Sequence, residues 1–339
     1  MDKVFEIPVV IFLFKRYATL NRIFNQIKEV KPKRIYLIAD GPRNEEEKKQ
    51  TESCRRCAEN LITWNCEIIK HYSEENIGVY SNIGLGARWV LEREKMAIFL
   101  EDDNMPETSF FYYCNELLKK YENEEQVLWI CGTNYLEKYN SEYNYVFTQH
   151  LLPCGWASWS SKYLKYYDGE LKLLTSTEHM ENFKRSYLDK RLYLQQLRSV
   201  KRTKMLLNEN RRASSWDYQM LFSLRANNMY GIAPTVNLIT NIGADAMSTH
   251  GGTSTRYIMT KRFCEVQSRK IEFPLRGPSQ IAVDENYERV IGKIILYPLS
   301  DRIKIRIAAI VKRVIGLREE DSFKEYLQVL RHGKNKSRL

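Results

Sequence analysis

Four short apolar runs alternate with segments of helical period over the first hundred residues, and that rhythm constrains the fold more than any other feature of the chain. Ile7 to Phe14 is continuous and of strand length; Tyr17 to Val30 then sets Leu20, Ile23, Phe24 and Ile27 on one helical face. Arg34 to Ala39 reads as a second buried strand closing on Asp40-Gly41-Pro42, followed by a charged, solvated helix from Asn44 to Asn60. Cys66 to His71 is a third strand and Ser81 to Arg93 a helix. A fourth strand, Met96 to Leu100, stops at Glu101-Asp102-Asp103. Strands interleaved with helices predict a mostly parallel sheet covered on both faces, an α/β fold. Such sheets collect ligands at the carboxyl ends of their strands, where Asp40 and the acidic triplet both fall.

Beyond about residue 125 the rhythm loosens. Pro106 is expected to open a helix, and Gln126 to Gly132 reads as a strand. Tyr135 to Tyr167 is rich in Tyr and Trp, and Cys154 to Trp159 suggests a packed, aromatic-lined loop. Glu178 to Leu207 is helical and basic; Ser215 is placed to cap a helix carrying Met220, Leu221 and Leu224. From about Ile291 a last unit puts Ile303, Ile307, Ile310, Val311 and Val314 on one stripe of a basic amphipathic helix. That stripe either packs on the preceding domain or, with the basic segments Lys184 to Arg191 and Lys201 to Arg212, meets an anionic membrane surface.

The 339 residues suggest a main domain over 1–260, split near 135 into donor-side and acceptor-side halves, with an extension over 261–339. The longest apolar run, Pro8 to Phe14, is too short to cross a bilayer, and no secretory leader is visible. Seven cysteines, an odd number scattered through a long chain, favour a reducing compartment, so a cytoplasmic location is expected, with peripheral attachment to the inner membrane face as its variant. The net charge of +11 favours an anionic partner without choosing one. Cys54-x-x-Cys57 has no second pair to complete a zinc site, and Ser81 to Gly86 lacks the third glycine of a dinucleotide fingerprint.

Three adjacent carboxylates at a buried strand end repel one another unless a positive charge lies between them. Oxygen ligands of that kind suit Mg²⁺ or Mn²⁺ shared with nucleotide phosphates; the plainer alternative is an acidic turn facing water.

In order along the chain, Val9-Val10-Ile11-Phe12, Ile38-Ala39-Asp40-Gly41-Pro42, Asn76-Ile77-Gly78, Phe99-Leu100-Glu101-Asp102-Asp103, Trp216-Asp217-Tyr218-Gln219 and Asn241-Ile242-Gly243 resemble nucleotide-sugar glycosyltransferases of the GT-A fold. The likeness is to the N-acetylglucosaminyltransferase I type and related bacterial polysaccharide enzymes. It covers roughly Ile7 to Arg256, and the triplet looks like their variant of the Asp-x-Asp motif. The resemblance implies a GT-A domain with a C-terminal helical appendage. The activity it implies is inverting, metal-dependent transfer of a sugar from a nucleotide-diphosphate donor, UDP-linked in the first place, to a hydroxyl of a bacterial surface glycan intermediate, free or lipid-linked. It implies donor contacts from Arg16, Asp40, Asn76, Arg88, Glu101, Asp102, Trp216 and Arg256, with Asp103 and His250 on the metal. Phe14-Lys15-Arg16 departs from the Tyr-Asn-Arg that relatives often carry after the first strand. Asp217 is the implied base; Trp216 supplies an apolar wall able to raise its pKa, although a carboxylate in a first helical turn is also favoured by the helix dipole.

Two rivals follow from the same residues. A sugar-phosphate nucleotidyltransferase would use a similar acidic edge but normally carries a glycine-rich basic loop after the first strand, absent here. A basic nucleic-acid-binding module is expected to bind without a divalent ion and to weaken steeply with salt; its basic residues here are interleaved with acids, and the expectation is no nucleic acid.

Overall fold

Both faces of the leading strands carry apolar side chains, and the structure, a computed structural model, uses both. It describes residues 5–209, 211, 215–243, 263, 264, 266–318, 321 and 326. Strand β1 (Val9–Leu13) lies between β2 (Arg34–Ala39) and β4 (Met96–Glu101), parallel to each, with β3 (Glu67–Tyr72) parallel beyond β2. Val9, Ile11 and Leu13 point into one core, while Val10 and Phe12 point into a second on the opposite face. Helix α1 (Tyr17–Val30) lays Leu20, Ile23, Phe24 and Ile27 against the first core and stops at Lys31, whose φ of 45° breaks the helix. Helix α2 (Glu45–Leu61) starts at Asn44, whose side chain accepts from the Glu47 N–H, while the Glu47 carboxylate accepts from the main chain of Arg43. A π-helical turn over Tyr80–Leu85 leads into α3 (Gly86–Leu91).

The second half adds β6 (Val127–Cys131), β7 (Tyr145–Thr148), β8 (Trp156–Trp159) and β9 (Tyr230–Pro234). The order across the eight strands is β3-β2-β1-β4-β8-β6-β9-β7. β8 runs against β4 and β6, and β7 against β9, so the other six strands share one direction. The fold is thus α/β, with a mostly parallel central sheet and helices on both faces.

Several local expectations are corrected. The supposed loop from Cys154 to Trp159 contains β8, in the middle of the sheet: all four of its residues are buried, Ser158 donates to the Leu128 carbonyl (2.7 Å) and the Trp159 indole to that of Leu118 (2.8 Å), while the buried Trp156 indole N–H finds no partner among the described residues. Pro106 ends a strand instead of opening a helix; β5 (Asn104–Pro106) pairs antiparallel with β10 (Ile239–Asn241), and α4 (Ser109–Lys120) starts later. After α5 (Ser160–Tyr166), the basic helical stretch divides into α6 (Thr177–Arg185) and α7 (Lys190–Asn208), because Asp189 caps a new helix through the Arg191 N–H (2.8 Å). Ser215 caps nothing: its hydroxyl is buried without a hydrogen bond, and α8 (Asp217–Ala226) is held by packing, every residue from Gln219 to Ala226 being buried. The two helices described beyond 260 differ in how they meet the rest of the fold. Helix α9 (Glu285–Ile295) sinks Tyr287 and Ile291 completely into the second core, whereas α10 (Leu299–Val314) buries no residue.

Candidate active site

Parallel register brings the chemistry to one edge. Leu13 is opposite Ala39, and Phe12 opposite Glu101, so Phe14 to Arg16, Asp40 and the triplet leave the sheet side by side at the carboxyl ends of β1, β2 and β4. The second sheet closes across them: Asn241 pairs with Asn104, and the Ile242 N–H donates to the Asp103 carbonyl (2.8 Å). A Cβ on Gly243 would collide with Asp103 and Arg16, which is why the close crossing needs glycine here.

The three carboxylates meet different fates. Asp102 accepts from the Phe14 N–H (3.0 Å), tying the start of the β1 loop to the triplet. Burial, then the charge of Asp103, pushes its carboxyl up to about 7, with Arg16 and two main-chain donors opposing. Asp103 forms an ion pair with Arg16, and its other oxygen accepts from Asn104 Nδ2 (2.6 Å) and more distantly from Asn241 Nδ2 (3.5 Å). Arg16, itself buried, also donates to the Gly243 carbonyl (3.3 Å). Its guanidinium supplies positive charge to the triplet from within the chain. Glu101 accepts no hydrogen bond from any described residue. Burial first, then the charges of Asp103, Asp102 and Asp217, push its carboxyl well above the usual range, and Arg16 offsets this only partly.

That influence places Asp217, the first residue of α8, within electrostatic reach of Glu101. Tyr135 and Cys154 complete the surroundings: burial and the nearby Asp217 raise the Tyr135 phenol, while burial, Asp103 and Glu101 raise the Cys154 thiol, whose sulfur accepts from Asn241 Nδ2 (3.5 Å). Sequence reasoning passed over Cys154, Asn104 and Tyr135. Asn104 directly follows the triplet and Asn241 stands in a quoted motif, but nothing in the sequence ties Cys154 to this edge.

The other expected site residues fare differently. Asp40 is buried, and its four acceptor positions take the N–H groups of Gly41 (2.8 Å), Ile77 (2.7 Å) and Gly78 (3.1 Å) and Asn76 Nδ2 (2.8 Å). Asp40 and Asn76 therefore clamp the 76–78 turn to the β2 end, and a base contact through Asp40 would have to displace one of these donors. Trp216 is 4% exposed and belongs to an aromatic stack, with ring centroids 5.4 Å from Trp156, which in turn lies 3.9 Å from Phe99. It forms a wall beneath Asp217 more than a surface for a ligand. Arg88 is half exposed and pairs with Glu92 one helical turn away (3.2 Å). His250 and Arg256 lie outside the described residues.

Among the described residues no three His, Cys, Asp or Glu side chains converge as a metal-holding group. The described residues alone build no such cage, and both Asp103 oxygens are shared with Arg16, Asn104 and Asn241. One carboxylate completed by phosphate oxygens, the common mode for Mg²⁺, does fit.

No protein-family model matches the chain, and no curated protein sequence matches it. Among solved structures it is similar to S. aureus TarS, at 10% identity and a TM-score of 0.35 over 68% of this chain; the chain spans 60% of that TarS chain. It is also similar to an active-site mutant of LgtC (10% identity, TM-score 0.37, 87% of this chain and 99% of that one). A UDP-glucose pyrophosphorylase complexed with UDP-glucose aligns at 9% identity and a TM-score of 0.34, over 70% of this chain and 93% of its own.

Proposed function

We propose that the chain is a nucleotide-sugar-dependent glycosyltransferase of GT-A organisation that inverts the anomeric centre. The observation that carries this reading is a crowded carboxylate edge, with Asp103 ion-paired to Arg16 beside Asp102 and a Glu101 that accepts no hydrogen bond from any described residue and feels the charge of Asp217, at the ligand-collecting edge of a parallel sheet. In this reading Asp217 takes the proton of the acceptor hydroxyl while that oxygen attacks the anomeric carbon. The carbon–oxygen bond to the diphosphate breaks with its electron pair leaving on the nucleoside diphosphate. Arg16 orients Asp103, and the clamped 76–78 turn walls the nucleotide side. When bound, Mn²⁺ or Mg²⁺ supplies Lewis-acid neutralisation of the departing diphosphate, and Asp103 is the carboxylate that would hold it. A UDP-linked donor and a surface-glycan hydroxyl are the substrates we assign.

The test is a panel of nucleotide sugars assayed for hydrolysis and for thermal stabilisation, with and without Mn²⁺. UDP-sugars are expected to raise the melting temperature only with the metal, and Asp103→Ala is expected to erase that shift. Absence of any shift across the panel overturns the reading. Pyrophosphate exchange between UTP and a sugar phosphate, without sugar transfer, would favour the nucleotidyltransferase instead.

A further inference from the structure

Helix α10 is built like an interfacial helix and is left open. Leu299, Ile303, Ile307, Ile310, Val311 and Val314 recur at helical spacing, so they share one stripe. Their exposures run from 41% at Val311 to 80% at Val314, and none of the helix's residues is buried. At 100° per residue, Arg302, Arg306 and Arg313 line one margin of that stripe and Lys304 the other, positions from which long side chains can reach polar head groups while the stripe sinks. The helix is tied down at both ends. Gln195 of α7 accepts from the Tyr297 N–H (2.8 Å) and donates to the Ile295 carbonyl (3.1 Å), and Arg318 pairs with Glu209 just past the end of α7 (3.1 Å).

Charge is concentrated on the same pair of helices. Residues 190–208 carry six Lys or Arg and no acid, and residues 299–314 carry five with one acid, so the two helices hold +10 of the chain's formal +11. A second copy of this chain is a poor occupant, because an isologous contact would set the arginines of one stripe against those of the other. We propose that α10, backed by α7, docks this protein in the head-group plane of an anionic lipid bilayer. No described helix is long and apolar enough to cross a membrane, so the attachment is peripheral through this face. The proposal is independent of the glycosyltransferase reading.

The full chain is to be sedimented with vesicles of phosphatidylcholine alone and of phosphatidylcholine containing about one third phosphatidylglycerol, at low and high salt. Binding is expected to the anionic vesicles, to weaken with salt, and to be slight on the neutral ones. Ile307→Glu with Ile310→Glu is expected to lower partitioning at least about tenfold with an unchanged circular dichroism spectrum, since both side chains are exposed. Arg306→Gln with Arg313→Gln is expected to lower it roughly thirtyfold and flatten the salt dependence. No binding to anionic vesicles, or binding indifferent to the isoleucine changes, overturns the proposal. Light scattering that shows a dimer abolished by those changes, without vesicle binding, overturns it in favour of self-association.

Discussion

Two charge clusters sit at opposite edges of one sheet, one partly and one fully buried, and they are built in opposite ways. At the carboxyl edge, Glu101 has neighbouring carboxylates and no hydrogen bond from any described residue. At the other edge, where Thr148 ends β7 opposite Gly231 near the start of β9, Glu288 accepts from the Thr148 hydroxyl, the N–H groups of Gln149 and His150, and Arg225. Burial pushes Glu288 upward, yet His150, Arg225 and those donors outweigh it and hold the carboxyl below its usual range. His150 meets Arg225 at Nδ1 (3.2 Å) and the Glu288 carbonyl at Nε2 (2.9 Å), and burial lowers its pKa although Glu288 opposes this. A cavity of about 340 Å³, lined in part by His150, Tyr187 and Glu288, opens beside it. Complete compensation suits a structural cluster, and incomplete compensation is what the proposed ligand site at the carboxyl edge calls for.

The largest effects should separate the two edges by what they damage. Asp217→Asn is expected to lower turnover about a thousandfold, the scale of a lost general base, while donor-induced thermal stabilisation stays unchanged. Steady-state kinetics beside melting curves check it, and unchanged turnover removes Asp217 from the chemistry. Glu288→Ala should cost about 3–5 kcal/mol in denaturant unfolding, because Arg225 is left charged in the core. Glu101→Gln should stay within about 1 kcal/mol of the parent or exceed it, since it removes a carboxyl the fold does not compensate. If both glutamate variants lose stability alike, the contrast fails.

Proton linkage gives the same contrast a sign. Unfolding returns Glu288 and His150 to their higher ordinary pKa values, so the unfolded chain binds more protons and their stabilisation is lost as pH falls, first below about 6.5 for His150 and then below about 4.5 for Glu288. Glu101 works the other way: its folded pKa is raised, so its contribution declines as pH climbs above about 4.5. Unfolding free energies from about pH 2 to 8 should show Glu288→Gln flattening the acid limb, and Glu101→Gln flattening the decline toward neutrality. Identical slopes in parent and variants would show that neither group is linked to folding as its surroundings imply.

The leading sheet was legible because its signals are local. β1, α1 and β2 each follow from an apolar run or period within the element, and α1 and β2 have the expected bounds. β8 was not legible, since Trp156 to Trp159 form a strand only because β4 and β6 flank them from distant parts of the chain. The same division runs through the candidate site. The acidic triplet is visible in sequence, but the Arg16–Asp103 pair spans 87 positions, and the saturation of Asp40 depends on a turn 36 to 38 residues onward. Charges announce themselves in sequence; their compensation is a long-range property.

The smallest predicted effect tests where the candidate site ends. Arg88 has the right charge for a diphosphate and precedes the acidic strand, but it is half exposed and engaged with Glu92, which caps the end of its helix. An exposed pair at that spacing contributes only about 0.3–0.5 kcal/mol, and either partner can be lost without stranding a buried charge. Arg88→Gln should therefore leave unfolding within about 0.5 kcal/mol of the parent and donor-induced stabilisation unchanged. Calorimetric titration of the donor into both proteins decides it. A tenfold loss of affinity would mean that Arg88 leaves Glu92 on binding, extending the uncompensated edge from the triplet across α3, whereas equal affinities confine it to β1, β4 and the crossing at Gly243.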